Sequence, residues 1–348
     1  MDRRFAVPGR GDRTVKGRVL VIDDEPEVRR SLTAGLVPEG CCVAACADGL
    51  AAIQEWDRAR AKGEGFDFLI TAIFLPDIDG LKLMKVMRRQ APDLCALVLT
   101  AFGDEALRRA ALSQPNTAYL EKPFAITDAL AALERLAAAR AHQGADAHAT
   151  SGNDTAGALS GNHAARAYLT LRVTDWARSL EIYEELAELE GVKACDAVRG
   201  DADIILHVNA PTRERIAILL EKVKSVSGVQ VIFFDVVETP PIDPGVLRFI
   251  ETYREVIQGE EPSTAHPPVA SYVIVDIDRQ ALQPVFATMC FLDEIASCDA
   301  IEGGARLVGT IRASEAVGRT PHLVEKMNQV EGVLRVREAK VFAIGEGQ

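Results

Sequence analysis

The sequence has no CxxC pair, no apolar run of bilayer length and no excess of basic residues, and each absence removes a class of function. Lysine and arginine number 39 against 51 acidic residues, a formal charge of -12 over 348 residues. That balance argues against a broad nucleic-acid footprint or a polybasic membrane surface. No apolar run reaches the ~20 residues of a membrane span, and the opening MDRRFAVPGRGDR lacks the apolar core of a signal peptide. The expected location is therefore the cytoplasm, where the seven cysteines should stay free thiols. Cys41, Cys42 and Cys46 cluster, but no histidine or further cysteine lies near them at metal-site spacing. There is no Walker-type phosphate loop, no HExxH and no nucleophile-base pair, so the chain is expected not to be an enzyme. Residues 165–348 carry no basic recognition-helix pattern, which speaks against direct DNA binding.

What is present is the composition of an ordinary folded protein, 48% apolar and 26% charged with mean hydropathy +0.05. The length exceeds one core at the usual ~100–200 residues per domain. Two stretches break the hydrophobic periodicity, 143–164 (QGADAHATSGNDTAGALSGNHA) and 259–268 (GEEPSTAHPP), and both read as linkers. Residues 1–16 read as a solvated tail.

Two segments repeat. ACDAV (194–198) matches SCDAI (297–301), and LLEKVKSVSGV (219–229) matches LVEKMNQVEGV (323–333) at six of eleven positions, with offsets of 103 and 104. This is a duplication with one insertion or deletion. Each copy reads strand, helix, strand, strand, helix, strand, the order of an α+β ferredoxin-like sandwich. The expected copies span 165–240 and 269–345. Between them, 241–268 holds a helix and linker, with Val246, Phe249, Ile250, Tyr253 and Ile257 at amphipathic spacing; this helix is expected to brace one copy against the other. An open antiparallel face must be covered, either by the other copy as an internal pseudo-dimer or by a second chain as a homo-oligomer.

Residues 17–142 read differently. Short apolar strands at 18–22, 42–45, 67–71, 95–99 and 117–120 alternate with helical patterns, which implies an α/β doubly wound five-stranded parallel sheet. Its crevice lies beyond the carboxyl ends of the strands. Asp23 and Asp24 end the first strand, Thr100 ends the fourth, and Lys122 follows the fifth. Paired carboxylates suit Mg²⁺, and a hydroxyl with an ammonium suits phosphoryl oxygens. Asp23-Asp24 also fits the start of the helix that opens with Glu25-Pro26.

The motifs VLVIDDEP (19–26), LP-x-x-DG-L (75–81), LTA (99–101) and YLEKPF (119–124) resemble the receiver domain of bacterial response regulators. The resemblance implies a phosphorylated aspartate ending the third strand, and that position is Ala72 here. Asp77 and Asp79 fall in the loop beyond. A methyl group offers no nucleophilic oxygen for an acyl phosphate, and it leaves a weak Mg²⁺ site on Asp23 and Asp24 alone. Lys122 should then lean on Asp23 or Asp24. Thr100 and Tyr119 stand where the family's switch hydroxyl and switch aromatic stand. Two origins fit Ala72: a natural phosphorylation-independent receiver, or an aspartate-to-alanine variant of a conventional phosphorelay regulator.

The duplicated half resembles the ligand-sensing domain of Lrp/AsnC regulators, carried by EGVKACDAVRGDADIILHV (190–208) and by the closing SVSGVQVIFFDVV (225–237) and QVEGVLRVREAKVF (329–342). The resemblance implies an effector turn at Gly200, Asp201 and Asp203, an amino-acid-like effector, and sheet-to-sheet pairing. Copy two departs there, with Gly303, Gly304, Ala305 and Arg306. The expected partners are a histidine kinase or a downstream regulator, with no membrane and no nucleic acid. An enzyme on the ferredoxin-like half, built around His207 or His322, is the reading from another class.

Overall fold

The computed structural model describes residues 16–101, 105–143, 164–259, 269–312 and 320–342. All but Lys16 of the tail expected at 1–16, most of the linker expected at 143–164 and most of that expected at 259–268 lie outside the described residues, and the side chain of His322 does as well. The chain divides into two compact units, Met1–Asn153 with Asp243–Glu261, and Asp154–Ile242 with Pro262–Gln348.

In the first unit, strands β1 (Gly17–Ile22), β2 (Cys41–Cys46), β3 (Phe68–Ala72), β4 (Cys95–Thr100) and β5 (Thr117–Glu121) form one sheet in the order β2-β1-β3-β4-β5. Every neighbouring pair is parallel. β3 and β4 are buried along their whole length, as the near-continuous apolar stretches FLITA and CALVLT require when helices cover both faces. The helices are α1 (Pro26–Leu36), α2 (Gly49–Ala61), α3 (Gly80–Gln90), α4 (Glu105–Leu112) and α5 (Ile126–Gln143). Their starts follow from local chemistry. Pro26 opens α1, Asp48 caps α2 by accepting from Ala51 N at 2.7 Å, and Asp79 caps α3 by accepting from Leu81 N at 2.8 Å. At Gly80 a Cβ would stand 1.9 Å from the Ala72 carbonyl oxygen, so only glycine lets α3 begin against the end of β3.

This unit also takes in α8 (Pro244–Tyr253), which continues as a π-helical turn over Arg254–Gln258. Val246, Phe249, Ile250 and Tyr253 are buried, as their spacing implies. The expectation that this helix braces the two ferredoxin-like copies is corrected: it packs against α2 and α3. Two features of α2 and α8 favour that seat. Arg248 pairs with Asp57 at 2.7 Å, and Gly245 has no side chain where a Cβ would meet the Asp57 carboxylate at 2.5 Å.

The second unit holds both copies. Copy one runs β6 (Ala165–Val173), α6 (Ser179–Ala187), β7 (Val192–Arg199), β8 (Ile204–Ala210), α7 (Arg213–Ser225) and β9 (Val229–Val236). Copy two runs β10 (Val269–Ile277), α9 (Leu282–Phe291), β11 (Ile295–Ile301), β12 (Arg306–Arg312), α10 (Thr320–Asn328) and β13 (Val333–Val341). Together they make one eight-stranded antiparallel sheet, β11-β12-β10-β13-β7-β8-β6-β9. β13 joins β7 through Lys340↔Arg199 and Val341↔Val198, and a bridge between Glu238 and Ala300 ties the other ends of the two copies.

In copy one, the face toward the helices packs Leu169, Leu171, Ile182, Leu206, Leu219 and Val223. The opposite face carries Tyr168, Val198 and Ile205, and these cluster with Tyr272, Ile301 and Val308 of copy two. The two open faces therefore bury each other within one chain, as an internal pseudo-dimer.

Candidate functional site

Asp23 follows β1 and is fully buried, Ala72 ends β3, Thr100 ends β4, and Lys122 follows β5. The fold thus brings all four to one end of the sheet. Lys122 Nζ lies 2.6 Å from Asp23 Oδ2 and 2.8 Å from Glu25 Oε1. The second Asp23 oxygen accepts from Glu25 N at 3.0 Å. Partial burial works against the Lys122 charge, but the hydrogen bonds it donates to Asp23 and Glu25 outweigh it and hold the ammonium above the ordinary lysine range. The expected lean of Lys122 toward Asp23 is therefore what the structure shows; the second partner is Glu25 rather than Asp24. Asp24 is exposed, and its carbonyl accepts from Arg29 at 2.9 Å.

Thr100 is buried, and its carbonyl accepts from Lys122 N at 2.7 Å. Tyr119 is half-buried on the edge strand, opposite Val98. Asp77, from the loop beyond Ala72, accepts from Gly49 N at 2.9 Å and Leu50 N at 2.7 Å, which ties that loop to the start of α2. Burial pushes its carboxyl above the ordinary range against those two donors.

Both Asp23 oxygens are engaged, and among the described residues no group of three His, Cys, Asp or Glu side chains could hold a metal ion.

The residues of the expected effector turn part company. Asp203 is committed to the fold, with its Oδ2 accepting from Val173 N at 2.9 Å and its own N donating to Leu171 O. Gly200 and Asp201 line a cavity of about 350 Å³ between the two copies. Arg306, at the position where copy two departs from the family pattern, lines the same cavity. Its Nε donates to Asp276 at 2.5 Å, its Nη1 to Glu302 at 2.6 Å, and its guanidinium stands 5.1 Å from the Phe233 ring centre. Residues of both copies therefore build this cavity.

Sequence reasoning missed Arg335 and Arg337, which also line it. The available signal was their i, i+2 spacing, which puts both on one face of β13.

Deeper in the seam the copies exchange hydrogen bonds. Tyr168 OH donates to Asp299 at 2.8 Å, and Tyr272 OH donates to Asp196 at 2.5 Å. Asp299 also takes both Arg166 nitrogens, at 2.8 and 3.2 Å. Burial drives both tyrosine hydroxyls well above the ordinary range and raises the Asp196 carboxyl despite its tyrosine donor. His207 stacks on Tyr168, with ring centres 4.9 Å apart.

Residues 19–134 match the response regulator receiver domain, and residues 166–241 match the Lrp/AsnC ligand binding domain. The chain thus carries a receiver domain and an Lrp/AsnC ligand-binding domain. Among curated relatives, the transcriptional regulatory protein TcrA of Mycobacterium tuberculosis is 36% identical over 130 residues, 37% of this chain and 49% of the relative. Response regulator MprA of Mycobacterium leprae is 35% identical over 119 residues, 34% of this chain and 50% of the relative. The chain spans about half the length of these curated relatives. Of solved structures, chemotaxis response regulator CheY4 of Vibrio cholerae is 27% identical, with coverage of 35% of this chain and 99% of that one and a TM-score of 0.32. Among the described residues no helix is long and apolar enough to cross a membrane.

Proposed function

We propose that this chain is a cytoplasmic signal-transduction protein whose receiver takes no phosphoryl group at the family position. It acts through protein contacts, and its tandem ferredoxin-like pair holds a small effector. The observation that carries the reading is Ala72 at the end of β3, beside an Asp23 carboxylate that Lys122 already neutralises. Acyl-phosphate chemistry needs a carboxylate oxygen at that strand end, and the methyl group supplies none. The receiver and ligand-binding matches support a regulatory rather than an enzymatic role. The partners of this reading are a histidine kinase or a downstream regulator for the receiver, and an amino-acid-like effector for the tandem pair. Direct contact with nucleic acid or membrane is not part of it. Assembly into a homo-oligomer would use other surfaces, since the open sheet faces are already covered within the chain.

The test is incubation with acetyl phosphate and Mg²⁺, followed by intact-mass measurement. The wild-type chain should gain no phosphoryl adduct, and a stoichiometric adduct on the receiver would overturn the proposal. Ala72→Asp should restore labelling, because Asp23, Thr100 and Lys122 stand at the same end of the sheet.

A further inference from the structure

The cavity in the tandem pair has a property that a symmetric dimer cannot have. Ladder pairing places Ile205 beside Thr170 and Thr170 beside Phe233 in copy one. The matching row in copy two is Val308, Ile274 and Arg337. All six residues line the one cavity, so it straddles the pseudo-twofold relation between the copies. Two identical chains would put either two phenylalanines or two arginines there, whereas the duplicated chain has one of each.

The result is a cavity of mixed lining. Ile205, Ile274, Val308 and the Phe233 ring supply apolar surface. Beside it stand Arg306, Arg337 and Arg335, the last with no ion-pair partner among the described residues. Arg337 Nη2 bonds both Asp276 oxygens at 3.1 and 3.0 Å, but its Nε is buried without a hydrogen-bond partner among the described residues. Its Nη1 reaches only the exposed Asp201, at 3.4 Å. An exposed pair of that length costs little to displace, and a buried donor without an acceptor favours a ligand that brings one. The volume, about 350 Å³, corresponds to roughly a dozen waters.

We infer that this cavity binds one small monocarboxylate with an apolar body per chain. The carboxylate is held by Arg335 and Arg337, and the body lies on Phe233, Ile205, Ile274 and Val308. The inference rests on the effector-binding part of the proposal above and assigns that effector a site built by both copies, away from Asp203.

The test is calorimetric titration of the full chain with 4-methyl-2-oxopentanoate, with leucine, and with the uncharged 4-methylpentanamide. The oxo-acid should bind once per chain, and the amide should not bind. Arg335→Gln, on an exposed side chain, should weaken oxo-acid binding about tenfold or more. Thr170→Trp, which fills the cavity, should abolish it. Two sites per chain, equal binding of the amide, no oxo-acid binding, or an unchanged affinity in Arg335→Gln would each overturn the assignment. A thermal-shift screen of amino acids and oxo-acids separates the two levels. A shift that Arg335→Gln leaves intact overturns only this site, whereas no shift with any compound overturns effector sensing as a whole.

Discussion

Asp196 and Asp299 occupy matching positions of the repeat and differ in one neighbour. Asp299 has Arg166 at 2.8 Å as well as a tyrosine hydroxyl, whereas Asp196, among the described residues, has Tyr272 alone and carries a carboxyl raised by burial. For an acid whose native pKa is raised, the native state holds its proton longer than the unfolded chain does. The contribution of Asp196 to stability is therefore greatest below its ordinary value of 3.8, and it falls as pH rises through the higher native value. Asp196→Asn should leave the chain at least as stable at neutral pH and flatten that fall, because an amide oxygen still accepts from Tyr272. Asp299→Asn strands Arg166 without its counter-charge and should cost about 1–3 kcal/mol. Urea unfolding at pH 4 and pH 7 compares the two, and equal losses would show that the seam does not distinguish them. At this scale the receiver site was readable because Asp23, Ala72, Thr100 and Lys122 each end or follow an apolar strand. Arg335 and Arg337 were not, since RVREAK reads as a solvated face until the other copy covers it.

α8 shows where pattern reading stops. Val246, Phe249, Ile250 and Tyr253 announce a buried stripe, and burial followed, but an apolar stripe does not name the surface that covers it. Asp57 and Gly245, which help to seat the helix on α2, are single residues far apart in sequence with no motif to link them. The receiver fragment 16–143 should melt several degrees lower than the same fragment joined to 243–259, because α2 and α3 then lose a packed neighbour, at about 2–4 °C per kcal/mol for a chain of this size. Equal melting temperatures in a calorimetric scan would show that the contact contributes nothing. The Arg248 to Asp57 pair is exposed, so Arg248→Ala alone should shift stability by less than about 1 kcal/mol.

In the second unit, the β-α-β-β-α-β order was readable twice over because the repeat restates it, and the strands alternate between a helix-covered face and an open one. Which of the two coverings applies, a second chain or the sister copy, depends on whether β13 can reach β7, and no local pattern encodes that reach. A fragment of residues 164–242 should therefore self-associate, since Tyr168, Val198 and Ile205 would otherwise face water. Sedimentation velocity checks this, and a stable, soluble monomer would show that the open face tolerates solvent on its own.

The junction of β13 with β7 also sets a rule about abundance. Subunits of an ordinary dimer separate on dilution, so the fraction of complete sites depends on how much protein the cell makes. Here both halves are translated as one polypeptide, and each meets the other at an effective concentration fixed by the connecting chain. The number of complete seams therefore rises in direct proportion to copy number, from the first molecule upward, and a sensor built on that seam would respond to its ligand at the same threshold whether the cell held few copies or many.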